Sequence, residues 1–188
     1  MKAKVGILLS GRGSNMKALA EAARDPACPY EIALVASNKP EAPGLAWAAA
    51  AGLKVFAQSP KGMDKAEYEA IIDTALREAG SEYIALAGYM RLLSDEFVAR
   101  WRGRILNIHP SLLPKYKGLD THARAIEAGD PTAGCSVHVV TEELDGGEVL
   151  GQAEVPILPG DTADSLAERV LAQEHRLYPR TLADFVTR

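Results

Sequence analysis

Cysteine is scarce in this sequence of 188 residues, which holds only Cys28 and Cys135. Two thiols cannot build a disulfide framework, and this pair lacks the spacing of a metal site. They read as small buried or half-buried thiols. No run of about 20 apolar residues is present, which excludes a membrane-spanning helix. Met1-Lys2-Ala3-Lys4-Val5 passes straight into a short apolar strand without a signal-peptide pattern. The expectation is a cytoplasmic protein with no membrane partner. An excess of basic residues is also missing: 21 Lys and Arg stand against 25 Asp and Glu, for a net charge of −4. Without clustered cations a nucleic-acid partner is not expected. Small anions remain open, because a local site can be positive on an acidic protein. No repeat, low-complexity segment or linker interrupts the chain, so residues 1–188 read as one domain.

Short apolar runs and amphipathic stretches alternate along the first two thirds of the chain. Val5–Leu9, Ile32–Ala36, Lys54–Phe56, Tyr83–Leu86 and Ile105–Ile108 have the character of buried strands. Asn15–Ala23, Gly44–Ala51, Asp64–Ala79 and Asp95–Trp101 read as the helices between them. Pro43 and Gly52 punctuate the second helix. This rhythm predicts a parallel sheet covered on both faces. After about residue 130 it changes, with strand-like Ala133–Val140 and Val149–Val155 joined by the acidic, glycine-bearing segment Thr141–Glu148. An antiparallel pair or a mixed extension of the sheet is expected there. Thr162–Phe185 reads as a long C-terminal helix opened by Asp161 or Thr162. The predicted fold is an α/β, Rossmann-like three-layer sandwich.

Two stretches carry chemistry. Ser10-Gly11-Arg12-Gly13-Ser14-Asn15 follows the first strand and opens a helix. Its glycines let backbone N–H groups approach an anion, and the helix N-terminus adds free donors and a favourable dipole. The loop lacks the Lys-Ser/Thr pair of a triphosphate loop and the third glycine of a dinucleotide fingerprint, which leaves a monophosphate. An ordinary strand-to-helix turn capped by Ser14 is the plainer alternative. The second stretch is Ile105-Leu106-Asn107-Ile108-His109-Pro110-Ser111-Leu112-Leu113-Pro114. Strand alternation puts Asn107 and His109 on one face. An amide donor beside an imidazole can stabilise an oxyanion, and loss of one such donor typically costs ~10²–10³ in turnover. Asp145, in Leu144-Asp145-Gly146-Gly147, is the carboxylate that can favour the imidazolium, although Asp-Gly-Gly is equally a common turn. His122 and His138 are weaker candidates, with His138 expected to pack behind the site. No residues stand at metal-ligand spacing. The set fits acyl transfer without a serine or cysteine nucleophile.

These motifs, with Ala87-Gly88-Tyr89-Met90-Arg91 and Gln173-Glu174-His175, occur in an order that resembles the phosphoribosylglycinamide formyltransferase family from end to end. The resemblance implies transfer of a formyl group from 10-formyltetrahydrofolate, as co-substrate, to the primary amine of glycinamide ribonucleotide, in purine synthesis. It implies no permanently bound cofactor and no metal, small-molecule partners, and a monomer or homodimer. Asn107, His109 and Asp145 match the family's catalytic positions. Gly11, Arg12, Gly13, Ser14, Asn15 and Glu174 match its ribonucleotide contacts. Lys65, Met90, Arg91, Leu92, Leu93, Asn107, Thr141, Leu144 and Asp145 match its folate contacts. Lys65 stands where the family often has arginine, and lysine lacks the bidentate fork. Composition alone would put Met90, Leu92 and Leu93 in the core. Residues 1–100 are expected to form the phosphate-binding half and 101–188 the catalytic and folate-binding half. Two relatives with other substrates, a 10-formyltetrahydrofolate hydrolase and tRNA-directed formyltransferases, usually carry an extra domain. A binding module that uses only the phosphate loop would leave Asn107, His109 and Asp145 without a task.

Overall fold

The computed structural model describes Met1–Arg188. Five β-branched and apolar runs form parallel strands: β1 (Ala3–Leu9), β2 (Tyr30–Ser37), β3 (Val55–Ala57), β4 (Tyr83–Leu86) and β5 (Ile105–His109). Two more, β6 (Thr132–Val139) and β7 (Val149–Pro156), run antiparallel to their predecessors and complete a seven-stranded sheet of order β3-β2-β1-β4-β5-β6-β7. The order reverses between β1 and β4. In an open parallel sheet that point leaves a crevice outside the carboxyl ends of the strands, where ligands bind.

Alternation along the strands feeds two cores. Val5, Ile7 and Leu9 of β1 join Leu106 and Ile108 of β5 under α1 (Ser14–Ala22), α2 (Pro43–Ala50) and α6 (Ala163–Val186). On the opposite face Leu8, Ile84, Leu86 and Ile105 pack on Tyr68, Ile72 and Leu76 of α3 (Lys65–Glu78) and on Phe97 of α4 (Asp95–Arg100). Capping follows the expected chemistry. Asp64 and Glu67 form a reciprocal box at α3, Thr162 accepts from Ser165 at α6, and Ser94 accepts from Phe97 at α4. One helix was not expected, α5 (Thr121–Glu127), whose N-cap Asp120 is left-handed and makes no side-chain cap bond. Its start carries an Asp of the kind that caps helices, but the left-handed backbone keeps that side chain from capping. Cys28 is half-buried and Cys135 buried, both as free thiols. No helix is long and apolar enough to cross a membrane.

A single phenol pins the long C-terminal helix to the middle of the sheet. Fully buried Tyr178 of α6 directs its hydroxyl at the carbonyls of Leu86 (2.8 Å) and Leu106 (3.2 Å), on the adjacent strands β4 and β5. Tyr178→Phe keeps the packing and removes the hydroxyl's bonds to two carbonyls that retain their sheet partners. It is expected to lower unfolding free energy by about 1–2 kcal/mol in urea titrations at unchanged m-value.

Candidate active site

β5 delivers its side chains by alternation. Leu106 and Ile108 enter the first core, which sends Asn107 and His109 to the other face. The antiparallel partner β6 sets His138 directly opposite Asn107 and Ser136 opposite His109. The turn after β6 then folds back, and Asp145 takes a left-handed conformation (φ 50°). Such a position strains most residues, by about 1–3 kcal/mol, but Asp tolerates it better than most. Behind it, a Cβ on Gly147 would lie 1.8 Å from the Val139 carbonyl oxygen, so the turn can pass this close to β6 only as glycine.

The three side chains expected to cooperate do converge. Asp145 Oδ2 lies 3.5 Å from His109 Nδ1 and accepts from the Gly118 N–H at 2.9 Å, while Oδ1 lies 3.7 Å from His138 Nε2. His109 Nε2 stands 2.8 Å from the Tyr116 carbonyl oxygen. Both ring nitrogens of His109 therefore face oxygens, one within hydrogen-bond reach and one at 3.5 Å. His138 differs. Its Nδ1 donates to the Val139 carbonyl (3.2 Å), which leaves Nε2 to accept from the Asn107 amide at 3.3 Å. Burial holds its pKa below the usual imidazole value, partly offset by the Val139 bond and by Asp145. A neutral His138 thus orients the Asn107 carboxamide. The second amide N–H of Asn107 has no protein partner and can serve an oxyanion. The packing role expected of His138 is observed, with an orienting hydrogen bond added. His122 lies on α5 near enough to His109 for their charges to oppose, with its Nδ1 buried and unpartnered.

Sequence reading missed Tyr116 and Gly118. Both act through backbone atoms, which carry no sequence signal. Tyr116 itself is left-handed (φ 54°), its phenol donates to Asp130 at 2.6 Å, and Ser111 Oγ also reaches toward its carbonyl at 3.3 Å.

Across the crevice, Gly13 adopts φ 71° and caps α1 without a side-chain bond, so the first N–H groups of the helix remain free. Gly11 fixes the loop from behind by accepting from the Gly44 N–H at 3.0 Å, while Arg12 is exposed and Ser14 half-buried. Asn15 Nδ2 donates to Glu174 Oε1 at 3.0 Å, both residues buried, so the last helix reaches the loop. Asn15 Oδ1 is buried and unpartnered.

The segment after β4 departs from the composition reading. Leu93 packs on the second core, but Met90 and Leu92 are 71% and 67% exposed. Leu144, next to Asp145, is 54% exposed. Apolar side chains left in water on both sides of the β5 terminus are what a flat heterocycle would cover. Arg91 sits over the Tyr68 ring at 4.8 Å. Lys65 is exposed at the start of α3, and Thr141 is half-buried in the returning turn.

Residues 3–182 match the formyl transferase family. Phosphoribosylglycinamide formyltransferase of Escherichia coli is 43% identical over 180 residues, which cover 95% of this chain and 85% of that protein. Trifunctional purine biosynthetic protein adenosine-3 of Drosophila melanogaster is 47% identical over 186 residues, and the chain spans 14% of that protein's length. The crystal structure of phosphoribosylglycinamide formyltransferase from Brucella melitensis superposes with a TM-score of 0.95 at 53% identity, covering 98% of this chain and 96% of that one.

Burial raises the pKa of Glu174 above the usual carboxylate value, and the Asn15 bond only partly opposes it. Folding therefore favours the protonated acid, and its contribution to stability is lost as pH rises from the ordinary carboxylate range through the raised value. Glu174→Gln is expected to be more stable than the parent at pH 7, with the difference closing toward about pH 4. Denaturant midpoints across that range read it directly.

Proposed function

The chain belongs to the formyl transferase family, and within it we propose that this protein transfers the formyl group of 10-formyltetrahydrofolate to the primary amine of N1-(5-phospho-D-ribosyl)glycinamide. The products are the N-formyl ribonucleotide and tetrahydrofolate, a step of purine biosynthesis. The observation that carries the reading is the meeting of Asn107, His109 and Asp145 at one strand end, across the crevice from a helix N-terminus with free N–H groups. The carboxamide and imidazole suit an acyl oxygen, and the loop suits a phosphate.

Residues 1–100 supply the phosphate loop, where Gly11–Asn15 hold the ribonucleotide's phosphate, and Glu174 contacts its glycinamide end. Residues 101–188 supply Asn107, His109 and Asp145. The folate ring lies in the slot between Met90–Leu93 and Thr141–Asp145, with Arg91 and Lys65 toward its acidic tail. The amine attacks the formyl carbon, a C–N bond forms, and the carbonyl oxygen gains negative charge. The free N–H of Asn107 donates to that oxygen. His109 joins it when Nε2 exchanges the Tyr116 carbonyl for the oxyanion, while Asp145 keeps the ring charged. The bond from the formyl carbon to the folate nitrogen then breaks. The proton lost by the amine reaches that nitrogen with help from Asp145 and water. The reaction as proposed draws its donors from Asn107 and His109 and moves its proton through Asp145 and water.

Purified protein incubated with 10-formyltetrahydrofolate is expected to release tetrahydrofolate only when the ribonucleotide is present. Release at the same rate without the ribonucleotide would make the protein a hydrolase. No release with both would leave only a binding role.

A further inference from the structure

Ser10 immediately precedes Gly11, so by position it belongs to the phosphate loop. Its hydrogen bonds lie elsewhere. The hydroxyl donates to Asn38 Oδ1 at 2.6 Å and accepts from the Met90 backbone N–H at 2.8 Å. The Ser10 N–H donates to the Gly88 carbonyl at 3.0 Å. Ser10 is 3% exposed and Asn38 is also buried. One hydroxyl thus ties the end of β1 to the end of β2 on one side and to the segment after β4 on the other. That second tie crosses the switch point of the sheet, where the crevice opens.

The Gly88–Leu93 segment has no strand or helix of its own. Gly88 is left-handed (φ 71°) and the Met90 side chain is largely in water, so neither anchors the backbone there. Tyr89 is held at its hydroxyl by the Tyr68 hydroxyl (3.1 Å) and Arg91 by the Tyr68 face. The backbone ties of Gly88 and Met90 both end on Ser10. We propose that Ser10 is a positioning residue for the formyl donor, fixing the Gly88–Leu93 wall of its slot against the ribonucleotide loop. This inference rests on the slot assigned under the proposed function. Without the hydroxyl, the Met90 N–H and Asn38 Oδ1 both lose a buried partner, and the wall shifts or loosens.

Ser10→Ala separates this role from a place in the phosphate loop. Tetrahydrofolate and the ribonucleotide are each unreactive alone, so each is titrated singly by calorimetry against wild type and variant. Ser10→Ala is expected to raise the Kd for tetrahydrofolate about tenfold and to leave that for the ribonucleotide within about twofold. A loss confined to the ribonucleotide, an equal loss for both, or no change in either overturns the inference. Should Ser10→Ala not fold, Asn38→Ala leaves the loop sequence intact and removes the hydroxyl's acceptor. It is expected to weaken tetrahydrofolate about threefold, again with the ribonucleotide little changed. Equal affinities in wild type and Asn38→Ala would then overturn it. A wild-type protein that binds no tetrahydrofolate overturns the slot itself, and this inference with it.

Discussion

Three separate stretches of chain within residues 109–138 meet at the carboxylate of Asp145. One oxygen takes the Gly118 N–H and faces His109, and the other faces His138. The carboxylate is almost fully enclosed, as are both imidazoles. In so dry a place an ionised acid needs partners, and His109 and the Gly118 amide are the groups that provide them. The same contacts hold the returning turn over the sheet and the 116–118 loop against β5. If the carboxylate left, His109 would lose the partner of Nδ1 and the turn would lose its reason to accept a left-handed Asp.

The two buried histidines show how neighbours divide one side-chain type into two tasks. His109 has the Tyr116 carbonyl at Nε2 and the Asp145 carboxylate near Nδ1. His138 has a carbonyl at Nδ1, its Nε2 meets the Asn107 amide at 3.3 Å with Asp145 Oδ1 farther off at 3.7 Å, and burial favours its neutral form. His109 lies between Asp145 and the Tyr116 carbonyl, and the neutral His138 meets Asn107 from behind. This division follows from the change of strand direction after β5. Only an antiparallel β6 brings a histidine opposite Asn107 and still lets the chain return with Asp145.

Much of this was legible from periodicity and punctuation. Tyr83–Leu86 was bounded as observed, and the other strands and long helices were placed within one or two residues, because their apolar runs serve cores on both faces. The loop between β1 and α1 was readable as a loop because its glycines fall after a strand and before a helix. Other features had no such signal. α5 is short and opens on an Asp that does not cap it. Met90 and Leu92 are apolar yet exposed, since composition cannot separate a residue that meets core from one that awaits a ligand. The pairing of His138 with Asn107 depends on strand register, and the parts played by Tyr116 and Gly118 belong to their backbones. None of these is written in residue type.

The central claim is that Asp145 works through His109. A double-mutant cycle on kcat/KM for formyl transfer tests it most directly, using His109→Ala, Asp145→Ala and the combined variant. Each single change is expected to cost ~10² or more, and the combined variant should be no slower than the slower single one. Losses that multiply would mean that the two groups act independently, and would contradict the account.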